Sequence, residues 1–252
     1  MAKPDWVFGL HTVSAILERH PERVLEVYLL EGRDDQRARQ IQDWVKTHGI
    51  PLRQVPRQQL DDLARRDGSG DANHQGVVAK CRLAQPLTEA ELMQRVDSAA
   101  EPVLLLILDS VTDPHNLGAC IRTADAVGAH GVITTRDKAA GLTPVVRRVA
   151  VGAAEVVPFY QVTNLARTLD DLKQRGVWVV GTAIDDTARS LYDTDLKGNL
   201  ALVMGAEGKG LRRLTKDKCD SLVYIPMQGS VDSLNVSVAA GVCLFEALRQ
   251  RS

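Results

Sequence analysis

The chain has 252 residues, long for one domain and comfortable for two. With 44% hydrophobic and 25% charged residues it has the mix of a globular protein, which excludes a disordered or low-complexity chain. A formal net charge of −1 excludes a global basic field, so any nucleic-acid contact has to come from local basic patches.

In chain order, HTVSAILERH places Val13, Ile16 and Leu17 on one face and predicts a helix. A short strand, VLEVYLL, follows at 24–30, then the charged segment EGRDDQRAR at 31–39. IQDWVKTHG at 41–49 reads as the end of a helix closed by Gly49. PLRQV at 51–55, a helical QQLDDLARR and the strand GVVAKCRL at 76–83 complete a small α/β unit over residues 1–82. Residues 83–101, rich in polar residues and holding a helical LTEAELMQRVDSA, read as a structured linker.

Over residues 102–252, apolar runs alternate with amphipathic stretches. The predicted strands are VLLLILD (103–109), HGVITT (130–135), VVPFY (156–160), VWVVGTA (177–183), LALVM (200–204) and LVYIPM (222–227). Helical patterns lie between them, and LNVSVAAGVCLFEALRQR closes the chain. Short, nearly all-apolar strands separated by helices predict a mostly parallel sheet covered on both faces. In such sheets ligands sit at the carboxyl ends of strands.

The longest apolar run, 103–108, is far short of the roughly 20 residues a membrane helix needs. The first residues, MAKPDWVFGLHTVSAILERH, lack the apolar core and cleavage site of a signal peptide. A cytoplasmic protein is expected. Cys81, Cys120, Cys219 and Cys243 are widely spaced, with no CxxC pair, which argues against a disulfide framework and a zinc site and for buried free thiols.

Three strand-to-helix junctions carry the unusual residues: SVTDPHNLGACIRTAD at 110–125, GAEGKGL at 205–211 and QGSVDSLNVSVAAG at 228–241. GAEGKG fits neither the GxGxxG of a dinucleotide site nor the GxxxxGK[ST] of a P-loop, which disfavours a dehydrogenase or a P-loop NTPase. Gly205, Gly208 and Gly210 imply a tight turn. Taken singly, Asn116 reads as a helix cap, Arg122 as a solvated helix residue and Ser233 as another cap. Their weight comes from lying on loops that all follow strands of one sheet.

At these loops the sequence resembles the SpoU family of 2′-O-ribose methyltransferases, within the SPOUT superfamily. DPHNLGACIRTAD is similar to the family's first motif, LALVMGAEGKGL to its second and IPMQGSVDSLNVSVAAGVCLFEA to its third, in the family's order. GLHTVSAILERHPERVLEVYLLEGR and HQGVVAK resemble the RNA-recognition domain of members that methylate a guanosine in the peptidyl-transferase loop of 23S ribosomal RNA. The resemblance implies an α/β fold with a C-terminal SPOUT domain, trefoil-knotted around a mostly parallel sheet, and a smaller N-terminal L30-like domain. It further implies S-adenosylmethionine as methyl donor, no metal, ribosomal RNA or a large-subunit precursor as partner, no DNA or membrane partner, and a homodimer.

Carried over by motif, the implied catalytic residues are Asn116, Arg122, Glu207, Ser233 and Asn235. The implied methyl-donor contacts are Thr182, Gly205, Ile225, Met227 and Leu234, the glycines letting backbone approach the donor. His115 is the only conventional base in a motif, whereas a guanidinium has no acceptor. Arg122 is therefore expected to orient the hydroxyl and stabilise developing alkoxide charge, with an RNA phosphate taking the proton. Glu207 and Asn116 are expected to hold Arg122 and the loops, and Ser233 and Asn235 to fix the target ribose and the third loop. Arg147, Arg148, Lys209, Arg212 and Arg213, with Arg33, Arg37 and Arg39 in the first unit, are candidate phosphate contacts. The competing readings are a transfer-RNA methyltransferase of the same family, a resistance-type ribosomal RNA methyltransferase and a non-catalytic RNA-binding assembly factor.

Overall fold

The computed structural model describes residues 4–67 and 73–252. They form two compact units: the chain up to Gln85 together with Val151–Val156, and Pro86–Ala150 together with Val157–Ser252.

The first unit begins with β1 (Pro4–Phe8), a strand not anticipated from the sequence, and α1 (Leu10–Arg19). β2 (Val24–Leu30), α2 (Gln36–Thr47), β3 (Leu52–Val55), α3 (Arg57–Ala64) and β4 (Val77–Arg82) follow. The charged segment 31–39 divides at Asp35, whose carboxylate caps α2 by accepting from the Arg37 and Ala38 amides at 3.0 Å each. The sheet order is β1-β4-β2-β3, with β4 antiparallel to both neighbours and β3 parallel to β2. Alternation along the strands sends Val7, Val27, Leu29, Val77 and Ala79 into a core with Val13, Ile16, Leu17 and Ile41 of α1 and α2. On the opposite face Tyr28, Val55 and Val78 pack under Leu60, Leu63 and Ala64 of α3.

The second unit opens with α4 (Glu89–Asp97), started by a Thr88–Glu91 capping box. This helix lies within the stretch read as a linker, and its Leu92 and Met93 enter the core beside Leu105, Ile107, Leu169 and Leu172. Next come β5 (Leu104–Asp109), α5 (Pro114–Ala126), β6 (Gly131–Thr135) and α6 (Pro144–Ala150). The strand expected at 156–160 begins later. Residues Ala153–Val156 form the short helix α7, grouped with the first unit, and β7 runs Phe159–Val162. Pro158, which has no N–H to donate, stands before that strand. Then follow α8 (Leu165–Gln174), β8 (Trp178–Thr182), the two-residue β9 (Arg189–Ser190), β10 (Leu200–Gly205), α9 (Arg213–Lys218), β11 (Ser221–Tyr224) and α10 (Val236–Arg251).

The described strands of this unit make a seven-stranded sheet in the order β7-β6-β5-β10-β8-β11-β9, every adjacent pair parallel. All six residues of β5 are buried, as a parallel strand covered on both faces requires. α5 is held at close range to α6 by Gly118, where a Cβ would collide with Val149 and the Val146 carbonyl. α10 packs on α5 and β10, with Gly241 beside Thr123. Cys81, Cys120 and Cys243 are buried and Cys219 is half-buried, all free, and burial pushes each thiol up to about 12. Among the described residues no helix is long and apolar enough to cross a membrane.

Candidate active site

β5, β10, β8 and β11 are consecutive neighbours in the sheet, so their carboxyl ends stand side by side. Asp109 is in register with Gly205, and Thr182 with Val223. The chain leaves β5 for β6 on one side of the sheet, whereas β10 leads to β11 beyond β8. Such a reversal opens a crevice at the strand ends, the usual ligand position of an open parallel sheet.

The three motif loops meet there through side chains. Asn116 is the third residue of α5, buried, and is not the cap. Asp113 caps the helix, accepting from the His115 and Asn116 amides at 3.1 and 3.3 Å. The Asn116 amide donates to Glu207 Oε1 at 3.1 Å and accepts from Asn235 Nδ2 at 3.0 Å. Asn235 Nδ2 also donates to Glu207 Oε1, which receives the Val236 backbone amide at 3.4 Å as well. Asn235 Oδ1 caps α10 by accepting from the Ser237 amide at 2.9 Å and the Ser237 hydroxyl at 2.6 Å. The cap expected at Ser233 is therefore Asn235. Glu207 thus places its negative charge at the amino-terminal end of α10, beside the first turn of α5, where the helix dipoles favour an anion.

The remaining catalytic candidates stand outside this cluster. Arg122 is exposed and has no hydrogen-bond or ion-pair partner among the described residues. It shares an exposed face of α5 with His115, seven residues apart, and lies roughly 9 Å along the axis from Asn116 at 1.5 Å per residue. Glu207 consequently holds the loops but not Arg122, which corrects the expectation that it would hold both. Ser233 is exposed on the loop before α10 and likewise has no hydrogen-bond partner among the described residues. Asn235, with its amide committed to Asn116, Glu207 and Ser237, ties loops together, and that leaves it less free to grip a ribose than expected.

Thr182 and Gly205 end β8 and β10, and Ile225 and Met227 follow β11, with Leu234 just before α10. All five are half-buried. Thr182 Oγ1 donates to the Val203 carbonyl at 3.3 Å. Gly205 owes its lack of a Cβ to the chain itself, because a methyl there would overlap the Gly210 carbonyl carbon and the Leu211 amide. The loop folds back through a Gly210 N–H bond to the Ala206 carbonyl at 2.9 Å. From residue 225 to 234 the backbone makes no backbone hydrogen bond among the described residues. Half-buried apolar side chains next to free amides and carbonyls suit a purine nucleoside, whose faces are apolar and whose edges hydrogen-bond. Among the described residues no cluster of His, Cys, Asp and Glu could hold a metal.

Asp109 was not singled out from the sequence. It is fully buried and accepts from Arg212 Nε at 2.6 Å, so Arg212 is tied inward and is a poor phosphate contact. The signal was available: a carboxylate closing an otherwise apolar strand needs a buried partner.

Comparison with known proteins follows this division of the chain. The SpoU rRNA Methylase family profile matches residues 103–245, and the RNA 2′-O ribose methyltransferase substrate binding profile matches residues 6–87. The 23S rRNA (guanosine-2′-O-)-methyltransferase RlmB of Shewanella oneidensis is 53% identical, over 100% of this chain and 99% of its own. The crystal structure of the SpoU methyltransferase AviRb from Streptomyces viridochromogenes, in complex with the cofactor AdoMet, superposes with a TM-score of 0.74 at 27% identity, covering 98% of this chain and 90% of that one. The A. aeolicus TrmH/SpoU tRNA modifying enzyme gives a TM-score of 0.54 at 30% identity, over 64% of this chain and 83% of that one.

Proposed function

Given that this chain belongs to the SpoU rRNA Methylase family, we propose that it transfers a methyl group from S-adenosylmethionine to the ribose 2′-hydroxyl of a guanosine in the peptidyl-transferase loop of 23S ribosomal RNA. The observation that carries this reading is the 53% identity, over the whole chain, with a relative named a 23S rRNA (guanosine-2′-O-)-methyltransferase. The transfer-RNA reading has less support, since the tRNA modifying enzyme covers only 64% of this chain and leaves much of it without a counterpart.

S-adenosylmethionine supplies a methyl group on a positively charged sulfur. Residues 225–234 and the ends of β8 and β10 hold its adenine and ribose through backbone groups. Displacement is in-line, so positioning accounts for much of the rate. Arg122, exposed and without an internal partner among the described residues, donates to the 2′-oxygen and stabilises its charge as the O–CH3 bond forms and the S–CH3 bond breaks. The hydroxyl proton leaves to an RNA phosphate. Asn116, Glu207 and Asn235 act one step back, as the tie that fixes the first, second and third loops relative to one another. Ser233, on the exposed third loop, contacts the target ribose. The first unit recognises the RNA, and the enzyme works in the cytoplasm.

The chain works as a homodimer. Val238 and Phe245 are about half exposed and two turns apart on α10, with the half-buried Val242 between them, and this apolar stripe suits a second copy. Transfer of labelled methyl to 23S rRNA but not to transfer RNA tests the substrate, and sedimentation of Val238→Glu against wild type tests the dimer.

A further inference from the structure

We propose that the part of the first unit's sheet face beyond α3 is a contact surface for the RNA substrate, seating an unstacked base on Trp6 and phosphates on Arg66, Lys80 and Arg82. The inference rests on the reading that RNA is the substrate and says where the first unit grips it.

The surface follows from the strand register. Trp6 pairs with Lys80, Pro4 with Arg82, Glu26 with Lys80, and Tyr28 with both Val78 and Arg53, so all these side chains share one face. The opposite face is closed by α1 and α2. On this face α3 has eight residues, roughly 12 Å of helix, and covers Tyr28, Val55 and Val78, with Trp6 and Phe8 half-buried against the same cluster. Beyond it the face continues to Lys80 and Arg82, with Trp6 at the boundary.

Aromatic and cationic groups interleave there. The Trp6 ring lies 5.6 Å from the Tyr28 ring, with the Arg66 guanidinium 5.5 Å and the Lys80 ammonium 5.8 Å from its centre. Glu26, the carboxylate of this face, is occupied by Arg53 at 2.5 Å and by the Tyr28 hydroxyl at 2.6 Å. Arg66, Lys80 and Arg82 have no carboxylate partner among the described residues, which leaves a local positive charge on a chain of net charge −1. Of the arginines that the sequence pointed to in this unit, Arg37 lies on α2 with its guanidinium 3.4 Å from His11, and the other two differ. Arg33 pairs with Asp35 at 2.5 Å and Arg39 with Asp34 at 2.7 Å, so their charge is already balanced. An aromatic ring flanked by unpaired cations is the chemistry that stacks a base and holds its neighbouring phosphates.

The test measures methyl transfer by the full chain to a transcript of the peptidyl-transferase region of 23S rRNA. The Lys80→Glu, Arg82→Glu double variant should raise KM for the RNA about tenfold or more, with kcat at saturating RNA unchanged, and should flatten the salt dependence of KM by about two phosphate contacts. Trp6→Ala should raise KM about tenfold and Trp6→Phe by no more than about threefold, since phenylalanine keeps a stacking face. Lys46→Glu, a charge reversal of the same kind at one site on α2, should leave KM alone. If the double variant keeps the wild-type KM and salt slope while wild type methylates the transcript, the surface is not an RNA contact, and the function stands. If wild type transfers no methyl to RNA, the proposed function itself fails.

Discussion

The buried carboxylate of Asp109, at the end of β5, accepts from the Arg212 guanidinium at 2.6 Å and from the Arg212 backbone amide at 3.0 Å. This pair ties the start of the first motif loop to the segment that follows the glycine turn carrying Glu207. Asp109→Ala would leave Arg212 without its partner and the turn without its anchor. Arg212 is half exposed, so the loss should fall below that for a fully buried pair, at about 2–3 kcal/mol. Urea denaturation measures it, and a variant as stable as wild type would contradict the anchoring role.

Glu207 receives three donors on one oxygen, from Asn116, Asn235 and the Val236 amide. Glu207→Gln keeps an acceptor in the same place but removes the charge, which roughly halves the strength of each bond. It should fold with a loss of about 1 kcal/mol while kcat drops about tenfold or more. Glu207→Ala leaves the buried Asn116 amide short of a partner and should cost about 1–3 kcal/mol. Paired melting and turnover measurements separate the two effects.

Arg122 gives the opposite pattern. It is exposed and without an internal partner among the described residues, so Arg122→Ala should change stability by no more than about 0.5 kcal/mol. Its kcat should fall at least about 100-fold, with methyl-donor affinity unchanged. Arg122→Lys should remain strongly impaired, because an ammonium lacks the planar fork of the guanidinium. Near-normal turnover of the lysine variant would rule out the assigned role.

Glu246, buried on α10, is held by Arg249 at 2.8 Å and Gln250 at 2.8 Å, and their hydrogen bonds lower its carboxyl from 4.5 to about 2. A depressed folded-state value means that the ionised group stabilises the fold above about pH 4.5, and that this contribution fades as pH falls toward 2. Glu246→Gln should therefore be less stable than wild type at pH 7, and the gap should narrow between pH 4.5 and 2.5. Urea midpoints at those pH values check it, and a constant gap would show that the stabilisation is not ionic.

The parallel sheet was legible because its strands are continuous apolar runs that end in loops of Gly, Asn and Asp. The order of its strands was not, since periodicity says nothing about which neighbour a strand takes, and β9 is too short to leave a pattern. The trefoil path rested on family resemblance alone. Within the site, the motif resemblance named Asn116, Glu207 and Asn235 on three loops but could not reveal that all three bind one another. Nor could it show that Arg122 stands apart from them, because a helix face is set by what packs beside it. Asp113 and Asp109 were visible as a residue before proline and a carboxylate ending an apolar strand. Reading them correctly needed the accounting of where each buried polar group finds its partner.

The most direct test of the account is the chemical identity of the product. Full-length enzyme is incubated with tritiated methyl donor and 23S ribosomal RNA, and the RNA is digested to nucleosides. Label confined to 2′-O-methylguanosine, and lost with Arg122→Ala, is the predicted result. Label on a base, or RNA left unlabelled by wild type, would contradict it.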